Sequence, residues 1–213
     1  MAAAYQEGAG PRLWDIVVRI SHWGLTVVVL GNAVFTKGGT IVHQWFGWVG
    51  LTLLVIRLIW GLIGRADARF GAFPPSPRRA IEHLDEVFAG APRSYRSHNP
   101  AGAAMIYAIW LTLAALIGTG LVMTKADFPW NATQHVTVLV KDSEGWFAFD
   151  HEEGVEGSEH NETRSGIGTV HLLLANLLLL LVGIHVGGVS VESLLLRRNL
   201  VAAMTFGDKG ETT

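Results

Sequence analysis

The chain has 213 residues, half of them hydrophobic and only 16% charged. Its mean hydropathy of +0.34 is too high for an ordinary soluble domain and points to a membrane protein. The absence of cysteine excludes disulfides, thiolate metal sites and covalent cofactor attachment through C-x-x-C-H, so any metal must rest on His, carboxylate or Met. The net charge of −2 says little, because the charges are segregated along the chain, and nothing in their pattern suggests a nucleic-acid partner.

A polar leader, MAAAYQEGAGPR, runs into the first apolar stretch with no small-residue cleavage pattern behind it. That stretch reads as a retained span and not a signal peptide. Four segments are long enough for a hydrocarbon core, which needs about 20 residues of helix: Ile16–Phe35, Ile41–Ile63, Ala101–Met123 and Gly168–Leu196. The last is longer than needed and is expected to pass the membrane surface or tilt. Between spans two and three, Pro74, Pro75 and Pro77 interrupt the chain, and AIEHLDEVFAG has the pattern of a short amphipathic surface helix.

Basic residues set the orientation. Arg12 and Arg19 open the first span, Arg57 lies late in the second, and Arg65, Arg69, Arg78, Arg79, Arg93 and Arg96 fill the connection to the third. Arg197, Arg198 and Lys209 follow the fourth, while the other side holds Lys37, Lys125, Lys141 and Arg164. The positive-inside rule makes both termini and the Arg-rich connection cytoplasmic. The expected architecture is an all-α, multi-pass bundle of four transmembrane helices in a single domain, 1–213, set in lipid. On the outer side a connection of about forty residues, 127–167, is rich in Asp and Glu; a loop this long is functional or disordered. It reads as a solvated acidic segment or as a docking surface for a positively charged soluble partner, with Trp146, Phe147 and Phe149 able to pack at an interface.

Histidines carry the chemistry. His83, His98, His135, His151 and His160 fall in loops or at interfaces, where a solvated imidazole is expected; His151 and His160 with their neighbouring carboxylates match no strong metal motif. His22, His43, His171 and His185 lie in apolar surroundings, where an ionisable side chain is costly and marks function by default. His171 and His185 are fourteen residues apart on the fourth span, which places them on one helix face about 21 Å apart. Depth pairs His22 with His185 on the inner side and His43 with His171 on the outer side, each pair drawn from two helices. A lone buried histidine is ordinarily a hydrogen-bonded one, but two depth-matched pairs arise rarely by chance. Two imidazoles serve zinc poorly. They suit haem, which supplies four nitrogens and asks the protein for two axial ligands. The reading is two non-covalent b haems with bis-histidine ligation and no open position for oxygen.

Charged neighbours have candidate roles beside these groups. Arg19, one turn before His22, and Arg57 could meet an inner propionate; topology and snorkelling explain them almost as well. Lys37 and Arg164 could do the same on the outer side. Glu192, two turns beyond His185, is either a proton acceptor beside a quinone or a solvated carboxylate. Glycines at 24, 31, 47, 118, 120, 183, 187 and 188 admit either a flat macrocycle or close helix packing.

WDIVVRISHW in the first span, HQWFGWVG in the second and VHLLLANLLLLLVGIHVGGVSVES in the fourth resemble the bacterial cytochrome b561 family, in the wider group that includes the b-type cytochrome subunits of nickel–iron hydrogenases. The resemblance covers most of the chain, and the acidic outer loop is its least family-like part. It implies a four-helix bundle of the bacterial inner membrane with two haems, ligated by His22 and His185 and by His43 and His171. It further implies electron exchange between the quinone pool of a respiratory chain and a periplasmic partner: a c-type cytochrome, a hydrogenase or another dehydrogenase. Superoxide:quinone oxidoreductase activity, known among such proteins, is an alternative, as is a haem-free membrane anchor subunit whose histidines bond between helices.

Overall fold

The computed structural model describes residues 15–91, 93, 95, 99–129, 159–197 and 199–206. The chain is all-helical there. Helices α1 (Ile16–Phe35) and α2 (Ile41–Ile63) form an antiparallel pair. Two 3-10 turns, Ala66–Ala68 and Phe70–Ala72, lead to α3 (Pro77–Phe88), followed by α4 (Pro100–Met123), α5 (Glu159–Leu195) and the short α6 (Leu200–Phe206). Four helices are long and apolar enough to cross a membrane: Ile16–Phe35, Ile41–Ile63, Pro100–Met123 and Gly166–Leu195. Only 6% of the α5 window is buried inside the protein. Large apolar side chains such as Leu180 and Ile184 face outward, as a lipid-facing surface requires.

The helix starts follow local chemistry. Asp15 accepts from Val17 N at 2.8 Å and Thr40 from His43 N at 3.3 Å, each satisfying a first-turn donor. Ser76 and Asn99 act likewise for α3 and α4, and each is followed by proline at the first helical position, where the missing N–H costs nothing. Pro77 therefore starts a helix where the proline cluster of the sequence suggested only a break.

Helix α1 packs along α2, α4 along α5, and α2 and α3 against α4. Among the described residues, α5 makes only sparse contact with α1 and α2. Leu54 of α2, Leu113 of α4 and Leu178 of α5 form the central core, with Leu25, Val29, Ile117 and Val182 packed around them. The ends of the bundle differ: α3, α6 and most of the described arginines gather at one, the Arg-rich end, and the α1–α2 turn, the end of α4 and the start of α5 lie at the other.

Two departures from expectation concern chain ends of helices. Helix α5 begins at Glu159, more than two turns before the apolar stretch that marks its span, so the acidic connection is shorter than hydropathy alone suggests. Hydrogen-bonded helix propagates into polar sequence once nucleated, and hydropathy cannot register that. Helix α6 carries no span-length signal and was not anticipated. Trp146, Phe147, Phe149, His98, His135 and His151 lie outside the described residues. The backbones of His160 and Arg164 belong to α5, and their side chains lie outside the described residues.

Candidate cofactor site

The helix register brings four imidazoles together as two pairs. His22 of α1 and His185 of α5 have ring centres 6.5 Å apart at an interplanar angle of 57°. His43 of α2 and His171 of α5 are 6.1 Å apart at 65°. Two imidazoles on opposite sides of one metal ion sit about 2 Å from it through nitrogen, and each ring centre lies about 1 Å farther, so their centres are roughly 6 Å apart. Both pairs have that spacing. Leu178 lies midway between His171 and His185 in sequence and is 2% exposed. With seven residues, or two turns, on either side of it, it places a layer of packed hydrocarbon between the two levels.

The pair at the Arg-poor end is backed by hydroxyls. Thr119 Oγ1 lies 2.8 Å from His171 Nδ1 and also donates to Leu116 O at 2.8 Å. A hydroxyl has one proton, so the network assigns the Nδ1–H tautomer to His171 and leaves Nε2 with its lone pair free. Thr36 donates to Asn32 O at 2.6 Å and stands 3.4 Å from His43 Nδ1, a longer approach of the same kind. Oxygens that hydrogen-bond the far nitrogen of a ring in this way fix ring orientation and tautomer in metal-ligating histidines. A cavity of about 170 Å³ adjoins both rings, lined by Val29, Ala33, Phe46, Leu116 and Leu179 among others. None of its lining residues is cationic.

Glycines divide into the two classes that the sequence left open. A Cβ on Gly24 would meet Leu53 at 2.8 Å, on Gly31 Phe46 at 2.9 Å and on Gly50 Val28 at 3.2 Å; these let α1 and α2 approach. Gly47 lines the cavity one turn after His43, and a Cβ there would meet nothing within 4 Å. Helix packing does not require that glycine, whereas a flat group beside His43 would. Gly120, also in the lining, would bring a Cβ to 3.4 Å of His171 Cε1.

Among the described residues, no group of three or more His, Asp or Glu could hold a metal on protein ligands alone. Imidazoles paired at this spacing fit a metal whose remaining ligands do not come from the protein. The profile described as Prokaryotic cytochrome b561 matches residues 13–207. The chain belongs to the prokaryotic cytochrome b561 family. It is therefore a multi-pass membrane b-type cytochrome of electron transfer, and b-type haem binding comes with membership. No curated protein and no solved structure matches the chain.

The other sequence candidates around this b561 bundle have the following places. Arg19 donates from Nη2 to Thr205 O in the last turn of α6, leaving its Nε buried without a partner; an arginine there complements the helix dipole. Arg57 is 4% exposed, donates to Ala68 O at 3.3 Å and lies 4.8 Å from the Trp110 ring centre, with Nη1 unpartnered. Lys37 is exposed at the α1–α2 turn. Glu192 is partly buried, not solvated: one carboxylate oxygen accepts from Asn99 Nδ2 and the other faces His83.

His83 is the clearest correction. The sequence places it in a connection, where solvation is expected, yet it is 2% exposed beneath α3. The available signal is the spacing of Ala80 and His83, the two buried residues of α3, which share one face of an amphipathic helix. Thr119 and Asn99 were likewise missed, since a hydroxyl in an apolar span and a capping amide acquire a role only through their neighbours.

Proposed function

We propose that the chain carries electrons across the bacterial inner membrane between the quinone pool and a periplasmic redox protein, through two b haems. The observation that supports this best is the pair of cross-helix imidazole contacts at 6.5 and 6.1 Å. His22 and His185 hold one haem at the Arg-rich end, which faces the cytoplasm together with both termini. His43 and His171 hold the other, towards the periplasm. When bound, haem supplies reversible one-electron chemistry at iron, tuned by its ligands and surroundings.

The residues themselves do the rest. Thr119 and Thr36 orient His171 and His43. Leu178, Leu54 and Leu113 exclude water between the two levels. Arg57 and Arg19, each with an unpartnered buried nitrogen, can meet a propionate of the inner haem, and Lys37 and Arg164 one of the outer haem. Glu192 exchanges protons with quinone at the cytoplasmic end. The acidic 127–167 connection receives a basic partner, a c-type cytochrome, in preference to a hydrogenase or other dehydrogenase, because complementary charge steers encounter. A superoxide:quinone reaction needs cations that guide an anion to the outer site; the lining of the cavity beside His43 and His171 contains none among the described residues.

A reduced-minus-oxidised optical spectrum with a haem-to-protein ratio tests this reading. Purified protein is expected to give a sharp b-type α-band and two haems per chain. A chain that folds and binds no haem ends it in favour of a haem-free anchor.

A further inference from the structure

His83 is 2% exposed, and among the described residues neither of its ring nitrogens has a hydrogen-bond partner. Burying an unbonded imidazole is unfavourable, and such groups are uncommon in native folds. Its surroundings suggest why it is kept. Nε2 faces Glu192 Oε1 at 3.8 Å and Nδ1 faces Glu86 Oε2 at 3.6 Å. Both separations exceed hydrogen-bond length, and a side-chain adjustment of less than about 1 Å closes either.

The charged and titratable groups facing His83, among the described residues, are Glu86 on its own helix, Tyr95 from the following segment and Glu192 from α5. Arg93 binds Glu86. Its hydrogen bond at 2.6 Å holds the Glu86 carboxyl below the ordinary carboxylate range. The Asn99 amide fixes the second oxygen of Glu192. Side-chain exposure is 2% at His83, 18% at Glu86 and 73% at Arg93, so these residues lead outward from the buried imidazole to water, while Glu192, at 13%, lies on its other side. Glu192 lies seven residues after His185, on the same helix face and about 10 Å along it.

We propose that Glu192 and His83 form a proton-transfer pair serving a quinone at the Arg-rich end, with Glu86 as the contact to water. This rests on the quinone reading above. Oxidation of a hydroquinone to the quinone releases two electrons and two protons. The electrons leave one at a time by the haem path, and each proton passes from a quinol oxygen to the Glu192 carboxylate and on to His83 Nε2. His83 then releases its Nδ1 proton to water beside Glu86; a half-turn of the ring carries the remaining N–H to the Glu86 side and presents a bare nitrogen to Glu192 for the second proton, and reduction of a quinone runs the same transfers in reverse. An imidazole suits this place because it accepts at one nitrogen while releasing from the other. Glu86, kept ionised by Arg93, stabilises the transient imidazolium. His83 acts through Glu192 and does not itself touch the quinone.

The test mixes decylubiquinol with the full haem-loaded chain in nanodiscs and follows haem reduction by absorbance. His83→Ala is expected to slow reduction on the order of 100-fold, with free imidazole restoring much of the rate. Glu192→Gln is expected to slow it without such rescue. Independently, infrared difference spectra taken during electrochemical reduction of bound decylubiquinone should show a carboxyl band lost in Glu192→Gln and an imidazole band lost in His83→Gln. The glutamine variant replaces alanine in the kinetic test if the alanine protein does not assemble. An unchanged rate, or a slow rate without rescue and without the imidazole band, assigns His83 to packing and overturns the proposal. If dithionite reduces the wild-type haems and quinol does not, the quinone reading itself fails and this proposal falls with it.

Discussion

At the Arg-poor end His43 and His171 present Nδ1 to threonine hydroxyls and border a largely apolar cavity. At the Arg-rich end the same kind of pair is supported differently: among the described residues His22 Nδ1 is buried without a partner, and ionisable groups cluster on α3, α5 and the α2–α4 connection. One long helix serves both sites, so the contrast comes from what the other helices bring to it. Neutral hydroxyls fix a tautomer without taking or giving charge. Buried carboxylate and imidazole can do both. On the proposed function, electron exchange alone belongs to one end and electron exchange coupled to protons to the other.

The largest expected effect is ligand loss. On the proposed pairing, His43→Ala or His171→Ala should remove about half the haem, that at the Arg-poor end, and His22→Ala or His185→Ala the other half, because each haem would be held by both imidazoles of its pair. Haem counting on purified variants checks this, and two retained haems with unchanged spectra in all four proteins would falsify the pairing. Next, Gly47→Leu should fill the space beside His43, where a new Cβ meets no protein atom. Haem at the His43–His171 level should fall sharply while thermal stability of the haem-free protein changes by less than about 1 kcal/mol. Equal loss at both levels would show that Gly47 serves the whole bundle.

A subtler separation comes from Thr119→Val, which removes the hydroxyl behind His171 and keeps the side chain's shape. Haem affinity at that level should drop on the order of 10-fold, with the other unaffected. Haem titration of the variant reads both. The smallest effect is the pH response of α3. The Arg93 hydrogen bond depresses the folded-state pKa of Glu86, so its contribution is present above the ordinary carboxylate range and fades as pH falls through the lowered value. Amide exchange in α3 should therefore accelerate in mild acid, less so in Arg93→Gln; equal acceleration in both proteins would remove Glu86 from the account.

Much of the cofactor level was legible in the residues. Apolar length gave four spans, and two histidines fourteen residues apart on a helix share a face whatever surrounds them. Depth then paired each with a histidine on another span, and the rings do meet. The proton side was far less legible. His83 reads as a solvated loop residue because hydropathy carries no information on which face of a short surface helix lands on the bundle. Arg19, one turn from His22, also donates to Thr205 O on α6, a helix without a span-length signal, and that contact could not be read from the chain.

The sequence by itself determined the spans, the imidazole register on α5 and the family, since helix periodicity and the cost of polar groups in lipid are local rules. Tertiary structure alone decided the rest: the open spacing of α5 from α1 and α2, the hydroxyl behind His171, the open space at Gly47, and the burial of His83 between two carboxylates. Each depends on how far apart two helices stand and which way they are turned. Those quantities come from packing between segments distant in the chain, which no single segment encodes.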